Sequence, residues 1–347
     1  MTAGLRWPDL ITDLVEGRDL SAEATAWAMD EILAGNASPV QIAGFAVALR
    51  AKGEMVAEIQ GMAQAMTARA TPVQLDPESV DIVGSGGDRA NTVNISTMAA
   101  VTAAGAGARV VKHGNRAASS MSGTADCLEA LGVRLEVAPG RQQQVLDEAN
   151  MAFLFAPLYH PSLRYAAAPR KELGIQTTFN FLGPLTNPAR PRAQAIGIAH
   201  PRMAGLVAGV LAARGSRGLV FHGSDGLDEL TTTTTSRVWL IDGGQVLETE
   251  LDPAELGLQP AQPADLVGGS PEHNAQVARE VFQGRPGPVR DIVLANASAA
   301  LLAWRGVDLG RGLAEQLAEC LADAAASLDE GHAADALRRL VEATNRD

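Results

Sequence analysis

Two turns rich in glycine and polar residues, separated by an apolar segment, are the part of this chain best suited to bind phosphate. The first reads GSGGD at 84–88 and leads to NIST at 94–97, and the second reads KHGNRAASS at 112–120. Glycine lets the backbone turn with positive φ and approach a ligand closely. A helix beginning near Ser96 would add free N–H groups and the positive end of its dipole, which favour an anion. The pair of turns therefore predicts a phosphate site. GSGGD alone is equally compatible with a tight turn that binds nothing, because it matches neither the dinucleotide fingerprint nor the P-loop.

The charge around these turns differs from that of the whole chain. Between positions 84 and 124 the basic residues are Arg89, Arg109, Lys112 and Arg116, against the single acid Asp88. The complete chain has a formal net charge of -12. An acidic protein is poorly suited to nucleic acid or anionic membranes, which need an extended basic face. We therefore expect a local basic pocket for a small anion.

A third glycine-rich turn, GSDGLDE at 223–229, carries the adjacent carboxylates Asp228 and Glu229. Such a pair is most often a solvated acidic surface. The alternative is a Mg²⁺ site, because this cation prefers oxygen ligands and is commonly shared between carboxylates and substrate phosphates. The basic turns would then hold phosphate directly, and the acidic turn would hold it through the metal.

Other reactive side chains leave alternatives open. His113 is either a base or a side chain that hydrogen-bonds the loop backbone. Arg170 either pairs with Glu172 at the surface or, if its helix lines the pocket, binds a carboxylate. Serines 119, 120 and 122 lack the elbow motif of a nucleophile and suit phosphate binding or helix capping.

The sequence disfavours disulfide bonds, zinc sites, a signal peptide and membrane spans. The two cysteines, Cys127 and Cys320, are far apart in sequence and have no nearby histidine pairs, which argues against a disulfide framework or a zinc site and favours a reducing cytoplasm. The other five histidines show no metal-ligand spacing. The first residues lack an apolar signal core, and no apolar run is long enough for a membrane span.

The elements that must position these turns fall into two groups. Residues 8–70 predict three or four short helices, with Ser21 as a cap, Gly35 as a stop and Ser38-Pro39 as the next start. So small a helical array should pack on the rest of the chain or on a second subunit. Residues 71–78 read as a linker.

The remainder alternates strands and helices. Strands are predicted at 80–83, 110–111, 134–138, 151–155, 194–198 and 218–221, followed by a hairpin within 232–251 and a helical region from 291 to 347. This alternation predicts an α/β fold with a mainly parallel central sheet flanked by helices, and a separate small all-α N-terminal domain. We expect the helical domain at 1–72, joined by a returning helical segment near 162–190, and the α/β domain at 73–161 and 191–347. The three polar turns should share one edge of the sheet, where ligands bind.

The order of these motifs resembles that of the anthranilate phosphoribosyltransferases, within the nucleoside phosphorylase/phosphoribosyltransferase fold family. The resemblance covers essentially the whole chain and rests on the leading helices and on GSGGD, NIST, KHGNR, SGTADCLEALGV, PRKELG, TTFNFLGPLTNP and GLDE. It implies Mg²⁺-dependent transfer of the phosphoribosyl group of phosphoribosyl pyrophosphate to the amine of anthranilate. The products are N-(5-phosphoribosyl)anthranilate and pyrophosphate, in the second step of tryptophan synthesis from chorismate. It also implies a cytoplasmic homodimer formed through the helical part.

The resemblance carries site residues onto this sequence position by position. The residues implied to bind phosphoribosyl pyrophosphate are Gly84, Gly87, Asp88, Thr92, Asn94, Ile95, Ser96, Thr97, Lys112, His113, Gly114, Asn115, Arg116, Ala117, Ala118, Ser119, Ser120 and Thr124. The implied magnesium ligands are Ser96, Asp228 and Glu229. The implied anthranilate contacts are Gly84, Asn115 and Arg170, and the residues implied to support catalysis are Lys112, Asn115 and Arg170.

Three positions depart from the family pattern. Ser85 replaces the usual Thr and Thr124 replaces a common Ser, and both keep the hydroxyl group. Gln176 stands where Arg is frequent, so one cation near the polar loop at 174–188 is missing.

The residues present suit the phosphoribosyl transfer that the resemblance implies. Loss of pyrophosphate develops positive charge on the ribose and negative charge on the leaving group, so electrostatics and positioning should dominate catalysis. Lys112 and Mg²⁺ would stabilise pyrophosphate, and Arg170 would orient the acceptor. Because the aromatic amine is already neutral, we expect direct displacement with inversion and no covalent intermediate.

Three other functions fit these residues less well. A pyrimidine nucleoside phosphorylase shares the kind of fold but needs no metal pair, so GLDE argues against it. A noncatalytic relative that binds nucleic acid would need a basic groove, whereas this chain has a formal net charge of -12. A dinucleotide oxidoreductase would need a glycine spacing and an acidic residue that are missing.

Overall fold

The computed structural model describes residues 4–117 and 121–346. Seven strands lie within these ranges: β1 (Val80–Gly84), β2 (Val110–Gly114), β3 (Met151–Phe155), β4 (Ala193–Gly197), β5 (Arg217–Gly223), β6 (Ser236–Asp242) and β7 (Gln245–Leu251). The α-helices in the same ranges are α1 (Trp7–Val15), α2 (Ala22–Ala34), α3 (Pro39–Lys52), α4 (Val56–Ala68), α5 (Ile95–Gly105), α6 (Thr124–Ala130), α7 (Gln142–Ala149), α8 (Ala156–Tyr159), α9 (Arg164–Leu173), α10 (Pro201–Ala213), α11 (Pro271–Phe282), α12 (Pro288–Arg305), α13 (Leu313–Asp329) and α14 (His332–Asn345). No helix in the described ranges is long and apolar enough to cross a membrane.

The capping residues predicted from the sequence lie at the ends of α2 and at the start of α3. The Ser21 hydroxyl accepts a hydrogen bond from the backbone N–H of Ala24 at 3.1 Å, and Gly35 ends α2 with φ 77°. Ser38 forms a capping box with Gln41 at the start of α3, where Pro39 is the first helical residue. These contacts satisfy backbone groups that a helix end leaves unpaired.

The sheet has the order β3-β2-β1-β4-β5-β6-β7. The pairs from β3 to β5 are parallel, whereas β5, β6 and β7 pair in antiparallel fashion. The chain moves outward from β1 in one direction for β2 and β3 and in the other for β4 and β5. A crevice therefore opens between the carboxyl ends of β1 and β4, the place where ligands bind in such sheets.

Two large apolar cores lie on opposite faces of the sheet, and a smaller one packs on β2 and β3. One contains α5, α6, α7 and the helices from α11 to α14. The other joins α1 to α4 with α9, α10 and the second face of β4, β5 and β6. The N-terminal helices thus bury their apolar faces on the rest of the chain, and α9 returns to pack against α2 and α3. The helical and parallel-sheet parts of the predicted fold are confirmed.

The predicted strand at 134–138 is wrong. Leu135 and Val137 are buried in the core beside the C-terminal helices, and the backbone N–H of Arg134 donates to the Thr344 hydroxyl at 3.3 Å. The apolar residues of this segment are therefore buried in the core, and its backbone contacts α14 instead of a strand. The second strand was also predicted too short, because β2 continues through Lys112 and His113 to Gly114.

Candidate active site

A cavity of about 330 Å³ lies at the carboxyl ends of β1 and β4, in the crevice of the sheet. Its walls come from the first turn after β1, the start of α5, the turn after β2 and the acidic turn after β5. The three polar turns of the sequence thus meet at one edge.

The glycine-rich turn after β1 is fastened to β4. The backbone N–H of Ser85 donates to the carbonyl of Gly197 at 2.9 Å, and the Ser85 hydroxyl accepts from the N–H of Ala199 at 3.0 Å. Gly86 and Gly87 then adopt φ of 71° and 85°, which favour glycine. A side chain at Gly84 would place its Cβ 2.3 Å from Asp228 Oδ2, so the absence of one allows the acidic turn to approach.

The carboxylates of Asp228 and Glu229 are buried within the cavity wall. The N–H of Gly86 donates to Asp228 Oδ2 at 2.6 Å, and the backbone of Ser96, at the start of α5, faces the Glu229 carboxylate and favours its charged form. Burial, reinforced by the charge of Asp88, raises the pKa of Asp228 to about 7. Burial and the neighbouring Asp228 raise the pKa of Glu229 well above its ordinary value. The solvated-surface interpretation of this pair is therefore excluded.

The same carboxylates suit a hard divalent cation. In the described ranges no three His, Cys, Asp or Glu side chains form a complete metal cage. Two oxygen-bearing side chains beside a phosphate-sized cavity are instead what a Mg²⁺ ion shared with substrate phosphate requires. A cation would also offset the repulsion and desolvation that raise both pKa values.

Lys112 approaches the carboxylates from behind the cavity. Its side chain is fully buried, its ammonium donates to the carbonyl of Ile82, and its charged neighbours are Asp81, Glu229 and Asp228. Lys112 is not one of the described residues that line the cavity. The structure brings Lys112 to the proposed metal site, and contact with pyrophosphate stays a prediction.

Asn94 ties the two phosphate turns together. Its side chain donates to the carbonyl of Ser122 at 3.1 Å and accepts from the hydroxyl of Ser122 at 3.1 Å and from the amide of Asn274 at 2.8 Å. Asp126, at the start of α6, accepts from the N–H groups of Ala117 and Gly123, both at 2.9 Å. Side chains beyond the turns thus fix the turns in place.

The two turns were predicted to form a locally positive pocket, but acidic residues from outside them pair with two of the arginines between positions 84 and 124. Arg116 pairs with Asp126 and Glu129 at 2.9 and 2.8 Å. Arg109 lies at the far end of β2, where it pairs with Asp76 at 3.0 Å and Asp147 at 2.5 Å. A count of charges within one sequence window misses partners that the fold brings in.

Most of the predicted site residues line the cavity. Those that do are Gly84, Gly87, Asp88, Thr92, Asn94, Ile95, Ser96, Gly114, Asn115, Arg116, Ala117, Thr124, Asp228 and Glu229. Thr97, Lys112, His113 and Arg170 are outside this lining. Ala118, Ser119 and Ser120 fall outside the described residues.

His113 points away from the cavity. Its ring lies 5.2 Å from that of His160 and beside the backbone of Gly183, and its Nε2 is buried without a hydrogen-bond partner in the described structure. Burial, with the neighbouring His160, lowers its pKa to about 3. The burial of His113 outside the cavity lining disfavours its interpretation as a base.

Arg170 extends from α9 over the ring of Phe179, with its guanidinium 5.6 Å from the ring centroid. Burial of the Arg170 guanidinium lowers its pKa below the ordinary arginine value. Within residues 4–117 and 121–346 it makes no ion pair, with Glu172 or any other acid. A partly buried arginine without an acid is well suited to bind a carboxylate.

Two residues of the returning polar loop belong to the site and were not predicted to do so. Asn180 lines the cavity, and its side-chain oxygen accepts from the N–H of Thr177 at 3.0 Å. Gln176 donates from its amide to the carbonyl of Gly87 at 3.1 Å, so it connects this loop to the glycine-rich turn. For Asn180 the available signal was the density of Asn, Thr and Gly in TTFNFLGPLTNP, and for Gln176 it was the departure from the Arg that is frequent at this position.

Comparison with known proteins agrees with this architecture. Residues 8–70 match the helical bundle domain of a glycosyl transferase family, and residues 76–334 match the a/b domain of the same family. The chain is 57% identical over 342 residues to the anthranilate phosphoribosyltransferase of Arthrobacter sp. (strain FB24), which covers 99% of this chain and 97% of that protein. The enzyme of the same name from Nocardioides sp. (strain ATCC BAA-499 / JS614) is 56% identical, covering 98% and 99%.

Solved structures are similar over the same length. The crystal structure of the enzyme from Thermus thermophilus has a TM-score of 0.89 at 41% identity and covers 97% of this chain and 100% of that one. The enzyme from Saccharomyces cerevisiae, in complex with PRPP and Mg, has a TM-score of 0.86 at 26% identity, with 97% of each chain covered.

Proposed function

Because the chain belongs to the anthranilate phosphoribosyltransferases, a family of pentosyltransferases, we propose that it transfers the phosphoribosyl group of phosphoribosyl pyrophosphate to the amine of anthranilate. The products are N-(5-phosphoribosyl)anthranilate and pyrophosphate, as in tryptophan biosynthesis. The observation that carries the proposal is the junction of the acidic turn with the glycine-rich turn, where Gly86 donates to Asp228 and the start of α5 at Ser96 faces Glu229. A phosphate cradle and a metal-binding pair therefore share one cavity.

Phosphoribosyl pyrophosphate would lie across the two turns. Backbone N–H groups of the glycine-rich turn and of the start of α5 favour its phosphates. Asn94 and Thr124 line the same cavity and supply an amide and a hydroxyl. Lys112, behind the carboxylates, would add positive charge at the pyrophosphate end.

Ser96, Asp228 and Glu229 would hold Mg²⁺, which when bound supplies positive charge that stabilises the leaving pyrophosphate. In the described structure, the N–H of Gly86 donates to the Asp228 carboxylate, and the backbone of Ser96 faces the Glu229 carboxylate. The acidic turn is thereby held beside the cavity before substrate arrives.

The acceptor would bind between Arg170, Asn115 and Gly84. The unpaired guanidinium of Arg170 would take the anthranilate carboxylate, and Asn115 would direct the amine. The amine is neutral near pH 7 and needs no strong base, in keeping with the burial of His113 away from the cavity. We propose direct displacement with inversion, and a ribosylated side chain trapped during turnover would contradict this.

The organisation of the chain follows from the same proposal. A helical domain at 1–72, with the returning segment near 162–190, and a phosphoribosyl pyrophosphate-binding domain at 73–161 and 191–347 would form a cytoplasmic homodimer through the helical part. Exposed apolar side chains on α3 and α9 support this contact.

The proposal is tested by following the loss of anthranilate fluorescence with phosphoribosyl pyrophosphate and Mg²⁺. We expect turnover that stops when either substrate is omitted. A folded protein that gives no turnover would contradict the proposal, and phosphorolysis of thymidine or uridine without Mg²⁺ would assign it to the nucleoside phosphorylases.

Replacement of the metal-binding pair gives a first prediction. The variant Asp228→Asn/Glu229→Gln should lose at least about 100-fold in kcat/KM, a loss of roughly 3 kcal/mol in transition-state stabilisation, and the remaining rate should no longer respond to Mg²⁺. The matched control is Asp329→Asn/Glu330→Gln, which alters an exposed acidic dipeptide remote from the cavity. Steady-state rates across a Mg²⁺ titration decide the outcome, and unchanged Mg²⁺ dependence in the first variant would place the metal elsewhere.

A further inference from the structure

A second large cavity lies at the opposite edge of the sheet, beneath the amino-terminal ends of β4 and β5. Its volume is about 760 Å³. Gln60 and Gln64 of α4 form one wall, and Gln194 and Arg217, at the starts of β4 and β5, form another. The candidate active site lies at the carboxyl ends of the same sheet. The two cavities are therefore separated by the length of the strands.

Arginine side chains dominate the lining of this second cavity. Its four arginines are Arg190, Arg192, Arg214 and Arg217. Among the described residues that line it, Asp242 is the single acid. Such a concentration of positive charge is unusual in a chain whose formal net charge is -12.

Only part of this charge is compensated by acids. Arg192 and Arg217 pair with the two oxygens of Glu78 at 2.9 and 3.3 Å. Arg190 and Arg214, in contrast, make no ion pair within residues 4–117 and 121–346. Two uncompensated guanidinium groups therefore face one cavity.

Arg214 lies close enough to Arg190 for the two positive charges to repel each other. Although part of the residue is exposed, desolvation of its guanidinium and the charge of nearby Arg190 lower the pKa of Arg214 to about 10. Its guanidinium donates to the carbonyl of Leu185 at 2.6 Å, which holds the side chain in place. A bound anion would offset the repulsion between Arg190 and Arg214.

Gln194 adds a polar atom that lacks a partner. The side chain is 6% exposed, and its amide nitrogen donates to the carbonyl of Pro191 at 3.0 Å, whereas its Oε1 has no hydrogen-bond partner in the described structure. The Nε of Arg217 is likewise buried without a hydrogen-bond partner there. Buried polar atoms of this kind are normally satisfied. The unpaired oxygen of Gln194 suits a ligand that carries a hydrogen-bond donor beside its anionic group.

We propose that this cavity binds a small metabolite that carries a phosphate or carboxylate group together with a hydrogen-bond donor. Arg190 and Arg214 are its cationic contacts, because guanidinium groups match the oxygens of both anions. The site is distinct from the transferase site and does not depend on the activity proposed for it.

The test is isothermal titration calorimetry of the full chain, at low ionic strength and without Mg²⁺, with inorganic phosphate and citrate as separate probes. The variant Arg190→Gln/Arg214→Gln should bind the preferred probe at least 10-fold more weakly than the unaltered chain. The preferred probe distinguishes a phosphate site from a carboxylate site. The charge-matched control is Arg311→Gln/Arg338→Gln, which removes two remote arginines that already pair with acids, and it should bind as the unaltered chain does.

Three results would overturn the proposal: binding of neither probe, isotherms unchanged in the cavity variant, or equal weakening in the control. If circular dichroism shows that the double variant is unfolded, Arg190→Gln alone replaces it. The side chain of Arg190 makes no hydrogen bond or ion pair in the described ranges, so its replacement removes neither kind of bond from the fold. This variant should bind at least 3-fold more weakly, and unchanged affinity would again overturn the site.

Discussion

At the scale of single residues, the acceptor half of the proposed active site depends on Arg170. We predict that Arg170→Ala raises the KM for anthranilate at least 10-fold, because a charge-assisted bond to a carboxylate is lost, while the KM for phosphoribosyl pyrophosphate changes little. Steady-state kinetics with each substrate varied in turn measure both values. Arg164→Ala is the matched control, since this arginine lies on the same helix and is exposed. The opposite pattern of KM values would exclude Arg170 as the acceptor contact.

His113 gives a prediction on stability. Its pKa is lowered to about 3 in the folded chain by burial, whereas an unfolded histidine titrates near 6.5. The unfolded state therefore binds the additional proton as pH falls from about 6.5 towards 3, and stability is lost over that window. His113→Gln should lose roughly 2 kcal/mol less unfolding free energy between pH 7 and pH 5 than the unaltered chain.

Urea denaturation at the two pH values measures this difference. His332→Gln, which alters an exposed histidine, should retain the pH dependence of the unaltered chain. Equal losses for His113→Gln and the unaltered chain would mean that His113 is not buried in its neutral form.

At the scale of elements, close contact between α2 and α4 depends on Gly61. A Cβ at this position would lie 2.0 Å from the carbonyl oxygen of Ala22, which is backbone and cannot rotate away. We predict that Gly61→Ala lowers the free energy of unfolding by roughly 1–3 kcal/mol, because overpacking outweighs the gain of alanine in helix propensity. Urea denaturation measures the change.

The control for this prediction is Gly140→Ala, where the added Cβ meets no atom within 4 Å. It should leave the denaturation midpoint nearly unchanged. If both variants behaved alike, the crossing of α2 and α4 would not be set by the absence of a side chain at Gly61.

At the scale of the whole molecule, the N-terminal helices bury one side on the α/β part and expose apolar residues on the other. Val40 and Val47, two turns apart on α3, are 81% and 39% exposed, and Tyr165 on the adjacent α9 is 42% exposed. Contiguous exposed apolar surface commonly marks an interface. We predict a dimer in sedimentation velocity experiments and a monomer for Val40→Asp/Val47→Asp.

Val246→Asp serves as the control for the dimer, because Val246 is similarly exposed but lies on β7, away from the helical part. This variant should sediment with the unaltered chain. A monomeric unaltered chain, or a dimer that survives both substitutions on α3, would contradict the proposed interface.

Local chemistry determined much of the fold in advance. Ser21, Gly35 and Ser38 act on neighbouring backbone groups, so the limits of the first helices could be predicted from the sequence. The alternation of short apolar runs with helices predicted the parallel sheet, and parallel strands bring their carboxyl ends to one edge. The meeting of the three polar turns therefore followed from the sequence.

Tertiary structure alone decided which groups compensate one another. Arg116 is neutralised by Asp126 and Glu129, and Leu135 and Val137 are buried in the core instead of forming a strand. Arg170 makes no ion pair in the described ranges, and the sequence could not show this because it depends on where α9 lies in the fold. The physical reason is that burial and pairing depend on distances between segments far apart in the chain, which local sequence does not specify.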